Sequence, residues 1–506
     1  MSRVAKNSLI LLIFLFLHQL LVLFQLKILT NWLGKDLLGQ YFTLLAIAAI
    51  ISIFIQLGLP FVASRFVAKY RALSQNLTAR KLVFFSWTII LSSGVVLLAL
   101  SLLFSRKVLL AIYSIPPSNH LLTWAIVLNI VISLKAVTYS SFYGLQKMEF
   151  PALIETLIAL GIAVLLFLSR FELSVIKVLQ INLSVNLAFS VLLSLFLIFM
   201  LRQDPKKAEK TNFLGDIKSF WLGAVATSFL GIALSYTDQI LISMFLSYSS
   251  VAVFFLASKT ISLSRQVMAI PLDAFSPEIT RKWELNLKNE LELNLTFFAK
   301  AMFILAVFLA TLTFSLAGPI IYTLSNREFG QSISVLMILS LALPLITIFS
   351  PINYFFRAIG KIGYSLLVDF IWLFGYSICG FLLLRWKGLS GLAIAFILVS
   401  LFLAVFNLRR VRRFIRWKVE KFVSTLLCGL AVTSVVSILM KVLPIANIPK
   451  LLIGMILAIL LYNIFLIRWN ILTTEDKRWL LNLTSNQYLR KAITFGLAWP
   501  MGKSKI

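Results

Sequence analysis

Cysteine, histidine and acidic residues are all scarce in this chain, and each shortage closes off a class of function. The only two cysteines, Cys379 and Cys428, lie inside long apolar stretches, so no disulfide framework is implied. The two histidines, His18 and His120, are too far apart for metal-ligand spacing, and no metal or cofactor is expected. No G-x-x-x-x-G-K-S/T phosphate loop occurs, so the chain does not itself hydrolyse nucleotide; AIGKIG near Gly360 lacks the spacing. Polar stretches long enough to bury a soluble core are also missing. Only 13% of the 506 residues are charged and 60% are apolar, with a mean hydropathy of +0.98. A soluble domain carries roughly a quarter of its residues charged.

What is present is apolar sequence in blocks of about 20 residues, the length that crosses a hydrocarbon core of about 30 Å. Within lipid every backbone N–H and C=O must be paired internally, which makes such blocks helices. The pattern predicts an all-α, polytopic membrane protein with about fourteen spans. Six lie near 7–30, 41–61, 82–104, 121–142, 151–169 and 177–201. Six more lie near 219–246, 249–272, 295–322, 331–355, 364–384 and 389–408, and two near 421–440 and 448–467. The block 7–30 is longer than a signal-peptide core and lacks a small-residue cleavage site, so it is expected to stay as the first span.

Positive charge is abundant, with 47 Lys and Arg against 18 Asp and Glu and a net charge of +29. Such a balance can signal nucleic acid, but these residues sit in short loops between apolar blocks, which argues against that partner. With an internal N-terminus (Arg3, Lys6), the even-numbered loops should be the basic ones. They are: Arg65, Lys69, Arg71, Arg80 and Lys81 follow the second span, and Arg202, Lys206, Lys207 and Lys210 the sixth. Arg409, Arg410, Arg412, Arg413, Arg416, Lys418 and Lys421 follow the twelfth. Odd-numbered loops hold one or two, such as Lys35 or Arg327. Both termini are therefore expected in the cytoplasm, with the chain multi-pass in a plasma membrane.

The sequence also repeats weakly. Ile28–Tyr41 resembles the stretch beginning at Ile240, and Lys147–Glu155 (KMEFPALIE) resembles Lys361–Asp369 (KIGYSLLVD), at offsets that agree within two residues. Six spans separate the copies, so both share one topology, as in transporters built from parallel repeats. The expected domains are two six-helix bundles, 1–210 and 211–420, two further spans in 421–470, and a cytoplasmic tail, 471–506.

Ionisable groups at membrane depth are costly and face a cavity or the bundle interior. The eighth span carries Ser258-Lys259-Thr260-Ile261-Ser262-Leu263-Ser264-Arg265-Gln266, polar around nearly the whole helix. At about 100° per residue Lys259 aligns with Gln266, with Ser258, Ser262 and Arg265 on a neighbouring face. One reading is a wet wall offering positive charge to an anion. The other is Ser/Thr bonding between helices, with Arg265 snorkelling to the interface. Lys135 lies deep in the fourth span near Asn129, Ser133 and Thr138, a position that strains snorkelling. Lys27, Arg65 and Arg357 sit near span ends, where snorkelling is the common explanation. Together these six cations suit a phosphate or carboxylate substrate. Three acids oppose them. Asp238 could pair with a cation or carry a proton or Na⁺. Glu155 and Asp369 occupy repeat-equivalent sites, where a first-turn acid also favours the helix dipole and Pro151 suits a helix start. Asn182 and Asn186 read as interhelical glue.

LGKDLLGQY at Leu33–Tyr41, LGLPFVASRFVAKY at Leu57–Tyr70 and YTDQILISMFLSYSSVAVFFLASK, followed by Pro277, form an ordered pattern. With AIGKIGYSLL and the glycines of KGLSGLAIAF, it resembles the polysaccharide-unit flippases of the multidrug/oligosaccharidyl-lipid/polysaccharide exporter (MOP) superfamily. Gly39 matches the pattern, whereas its counterpart is Ala252. The resemblance implies two six-helix bundles in a V around a central cationic cavity. It implies a polyprenyl-diphosphate-linked oligosaccharide carried from the cytoplasmic to the outer leaflet by alternating access. Expected partners are that lipid-linked oligosaccharide, membrane lipid, H⁺ or Na⁺ as coupling ion, and a polysaccharide polymerase or glycosyltransferases. A multidrug exporter of the same superfamily would prefer acidic or aromatic walls for cationic drugs. A peptidoglycan-precursor flippase shares the architecture but matches poorly after the first span. A membrane-embedded glycan-modifying enzyme would need a catalytic outer loop, and none is seen, so the chain is not expected to be an enzyme.

Overall fold

The computed structural model describes residues 3–112, 119–201, 213–412, 422–471 and 476. Among these every regular element is helical. The order is α1 (Arg3–Trp32), α2 (Gly34–Gln56), α3 (Leu59–Ala72), α4 (Asn76–Ile112), α5 (Asn119–Gly144), α6 (Glu149–Leu168), α7 (Val175–Met200) and α8 (Phe213–Phe245). Then come α9 (Tyr248–Glu284), α10 (Lys288–Ser315), α11 (Ala317–Leu324), α12 (Gln331–Ser340), α13 (Ala342–Ala358), α14 (Ile362–Val411), α15 (Phe422–Val442) and α16 (Asn447–Arg468). The basic residues Arg202, Lys206, Lys207, Lys210, Arg413, Arg416, Lys418 and Lys421 fall outside the described residues. So does most of the tail expected at 471–506.

Eleven described helices are long and apolar enough to cross a membrane, or twelve if α12 and α13, bent by 41°, make one span. α14 counts once there, but its 50 residues would run about 75 Å at 1.5 Å per residue, far beyond a hydrocarbon core of about 30 Å. Gly388 interrupts it with φ 59 and ψ −141, and the halves 362–387 and 389–411 coincide with the expected eleventh and twelfth spans. The expected eighth span lies in α9, which is not among the helices apolar enough, because the polar run 258–266 dilutes it. The sequence count of fourteen is therefore approximate, and the chain is a polytopic helical membrane protein.

The second span ends earlier than the expected 41–61. The backbone turns left-handed at Leu57 (φ 46) and Gly58 (φ 71), and α3 starts afresh with Pro60 in its first turn. A Cβ on Gly58 would lie 2.5 Å from the α8 backbone at Ala224, so the turn needs glycine for both its dihedral and its close approach. Trp221 Nε1 donates to the freed Leu57 carbonyl at 2.7 Å. An α-helix cannot satisfy that oxygen once broken.

Two compact units partition the chain, Met1–Phe255 and Leu256–Ile506. In the first, α5 packs against α2, α3, α4 and α7 and is the central helix. In the second, α10 packs against α12, α13 and α15, and α14 lies along α13. The last two helices belong to this unit. Gly429 of α15 seats against Val307, Gly454 of α16 against Leu316, and Tyr462 donates to the Ile304 carbonyl at 2.8 Å. Large apolar side chains stay strongly exposed, among them Leu103 (75%) and Leu222 (80%). Water would penalise such a surface; lipid does not.

Candidate functional site

The central helix of the first unit carries polar side chains around much of its circumference. Asn129, Ser133, Thr138 and Ser141 each donate to a carbonyl one turn back, so α5 satisfies them itself. Lys135 reaches off its own helix, and its ammonium, with three donors, takes acceptors from two neighbours. It is 7% exposed. Its Nζ reaches the Glu155 carboxylate of α6 at 3.1 Å and Asn186 Oδ1 of α7 at 2.8 Å. Tyr139, one turn along α5, donates to the same carboxylate at 2.5 Å. His18 Nδ1 of α1 donates to the Glu155 backbone carbonyl at 3.3 Å. Four helices thus converge on one charged node. The Glu155 side chain is its open member, at 37% exposure against 9% for the Lys135 side chain.

The second unit holds the repeat-equivalent acid in a comparable pair. Arg357, near the end of α13, donates through Nε to Ser365 Oγ at 2.6 Å and through Nη2 to Asp369 Oδ2 at 3.3 Å. Both partners lie on α14, so the guanidinium bridges the turn at Gly360 (φ 77). In each copy an acid on the later helix holds a cation of the preceding one. The second pair is more open, with the Arg357 side chain 49% exposed and Asp369 27%.

On α9 the hydroxyls are spent locally: Thr260 donates to the Leu256 carbonyl and Ser262 to that of Lys259. Arg265 is exposed, its guanidinium 5.8 Å from the Phe396 ring centroid. Lys259 is half-buried, and among the described residues no acceptor or carboxylate pairs with its ammonium. The buried Oε1 of Gln266 also lacks a hydrogen-bond partner.

The remaining sequence-derived residues stand apart from these pairs. Lys27 is exposed on α1. Arg65 is exposed on α3 with its guanidinium 4.4 Å from the Phe220 ring, a cation–π contact. Asp238 Oδ1 accepts from the Gln239 backbone N–H at 2.8 Å. Sequence reading missed Tyr139 and the place of His18, and named Gln266 only as aligned with Lys259. Tyr139 lay in view, one turn after a buried lysine. His18 could not be placed, since 137 residues separate it from Glu155. Asn186, read as glue, also binds the Lys135 ammonium. Among the described residues no three His, Cys, Asp or Glu side chains come together as a metal site. A surface cavity of about 410 Å³ lies at the α6–α7 turn, beside Glu172 and Lys177. There the Lys177 hydrogen bond holds the Glu172 carboxyl below its ordinary value.

Residues 4–283 match the sequence model of a family described as polysaccharide biosynthesis protein. A comparison with curated protein sequences finds no match. Three solved structures share the fold. A lipid II flippase MurJ in an inward closed conformation aligns with a TM-score of 0.75 and 17% identity, over 91% of this chain and 99% of its own. An inward-facing multidrug resistance MATE family transporter of the MOP superfamily aligns at 0.66 and 18%, over 78% and 94%. A MOP superfamily transporter from Pyrococcus furiosus aligns at 0.58 and 18%, over 80% and 94%. These structures carry different descriptions on one fold, so the likeness shows the fold and leaves the role open. The chain belongs to the polysaccharide biosynthesis protein family and is a multi-pass helical membrane protein that shares its fold with these three structures.

Proposed function

We propose that this protein translocates a polyprenyl-diphosphate-linked oligosaccharide from the cytoplasmic to the outer leaflet of the plasma membrane for surface polysaccharide assembly. The observation that carries the reading is the polysaccharide biosynthesis family match over residues 4–283, taken with a fold that a lipid II flippase shares over 91% of this chain. The physics agrees. A sugar diphosphate cannot enter hydrocarbon unaided, while a hydrated basic cleft can shelter it as the lipid tail stays in the bilayer.

In this reading the repeat halves, spans one to six and seven to twelve, rock to open the cleft to either leaflet. Lys135, Lys259, Arg265, Lys27, Arg65 and Arg357 supply the positive groups met by the diphosphate along its path. Glu155, Asp238 and Asp369 balance them or carry the coupling H⁺ or Na⁺. Moving one charge down the membrane potential supplies about 2.3 kcal/mol per 100 mV, enough to bias the cycle. Both termini face the cytoplasm, where glycosyltransferases make the cargo, and a polymerase receives it outside.

Depletion of the protein in its own cells tests this directly. Lipid-linked oligosaccharide should accumulate, and surface polysaccharide should fall. Unchanged polysaccharide together with new sensitivity to cationic drugs would instead make the chain a multidrug exporter.

A further inference from the structure

Two of the cations named above are held in ion pairs by the fold. Lys135 has Glu155 and Asn186, and Arg357 has Ser365 and Asp369. Lys259 and Gln266 depart from that pattern in opposite senses. Lys259 presents an ammonium, a pure donor, with no acceptor among the described residues. Gln266 presents a buried amide oxygen with no donor. Seven residues separate them, so two helical turns put both on one face of α9, about 10 Å apart along its axis. A buried polar group without a partner costs free energy, and a charged one costs more. The hydroxyl protons of Thr260 and Ser262, between them, are given to carbonyls of their own helix.

An unmet donor and an unmet acceptor on one helical stripe describe a ligand with an anionic end and a hydroxyl-bearing end. We propose that α9 holds the cargo headgroup between two poles, with a phosphate on Lys259 and a sugar hydroxyl donating to the Gln266 amide oxygen. This deepens the transport reading above and rests on it, adding Gln266 as the group that senses sugar. The division of labour follows from chemistry. Lys259 reads charge, which every polyprenyl diphosphate shares, as a point charge without directional fork. Gln266 reads a hydroxyl, which only the glycosylated lipid supplies. A bare diphosphate recycled after sugar transfer would therefore bind less tightly than loaded cargo.

The test uses the full chain in lipid nanodiscs and two probes, farnesyl diphosphate and the same lipid diphosphate carrying a disaccharide. The loaded probe should bind wild type about 3–10-fold more tightly, the worth of one neutral hydrogen bond. Gln266→Leu should abolish that preference while leaving farnesyl diphosphate affinity unchanged. Lys259→Gln should weaken both probes equally, by about 10–100-fold as for a charge-assisted bond. Lys259→Arg, which keeps the charge, should restore binding that a merely structural lysine would not recover. Melting temperatures of each variant separate loss of binding from loss of fold, and the wild-type preference between probes needs no variant at all. Equal affinity of both probes for wild type, or a Gln266→Leu variant that keeps the preference, overturns the two-pole assignment and leaves the transport reading standing. Binding of neither probe to wild type overturns the anionic-cargo reading and this inference with it.

Discussion

The Lys135 ammonium lies 3.1 Å from the Glu155 carboxylate, tying the central helix of the first unit to α6. Asn186 completes the tie to α7. A lysine at membrane depth is thus converted from an insertion cost into a junction between helices. Removing one partner exposes the other as an uncompensated charge, which is worse than removing both. A double-mutant cycle with Lys135→Met and Glu155→Gln should give a coupling of about 1–2 kcal/mol, within the range for contacting pairs. The lower half of that range applies because the Glu155 side chain is 37% exposed. Unfolding of the four proteins in detergent measures it. Strict additivity of the two single substitutions would contradict the junction.

Gly58 should be among the least replaceable residues of the first unit. Its positive φ and the α8 backbone 2.5 Å from its would-be Cβ act together. Gly58→Ala is expected to destabilise by about 1–3 kcal/mol, as for a strained left-handed residue. Trp221→Phe removes only the cap on the Leu57 carbonyl and should cost about 1 kcal/mol. Thermal unfolding of both variants provides the check, and the order Gly58→Ala worse than Trp221→Phe is the outcome that matters.

Arg357 should resist its conservative replacement. The guanidinium reaches Ser365 and Asp369 with two different nitrogens, a fork that an ammonium cannot reproduce. Arg357→Lys should therefore speed amide exchange at residues 359–363 about as much as Arg357→Ala does. Protection retained in the lysine variant alone would mean that charge, and not the fork, holds the α13–α14 turn.

The docking of the last two helices depends on small residues. Gly429 leaves 2.4 Å between its would-be Cβ and Val307, and Gly454 the same to Leu316. Gly429→Leu should cost about 1–3 kcal/mol through overpacking, read as a lowered melting temperature. Thr425→Val, at a buried site on the same helix, is the milder comparison.

The spans were readable because bilayer thickness dictates the length of an apolar run, whatever its neighbours. Gly388 shows the same logic: the polarity of the sequence places a break between the eleventh and twelfth spans, and the backbone breaks there at Gly388. The break at Leu57–Gly58 was not foreseen, because it falls inside an apolar run, and only Gly58 and Pro60 marked it. Lys135, Glu155, Arg357 and Asp369 were each singled out from their chemistry. Their pairing was not, since which side chains meet depends on helix rotation and tilt, and 20 residues of chain lie between Lys135 and Glu155. Gln266 was visible only as an alignment with Lys259. That its amide lacks a partner is a property of the packed neighbours and has no local signature.

Transport itself is the most direct test of the account. Purified protein reconstituted into liposomes with a fluorescent polyprenyl-diphosphate oligosaccharide can be probed with a membrane-impermeant quencher. Headgroups initially confined to the inner leaflet should become quenchable in protein-bearing vesicles, faster when a potential or proton gradient is imposed, and slowly in Lys259→Gln vesicles. Headgroups that stay protected under every gradient, in vesicles whose protein is folded and correctly inserted, would contradict the function proposed for this chain.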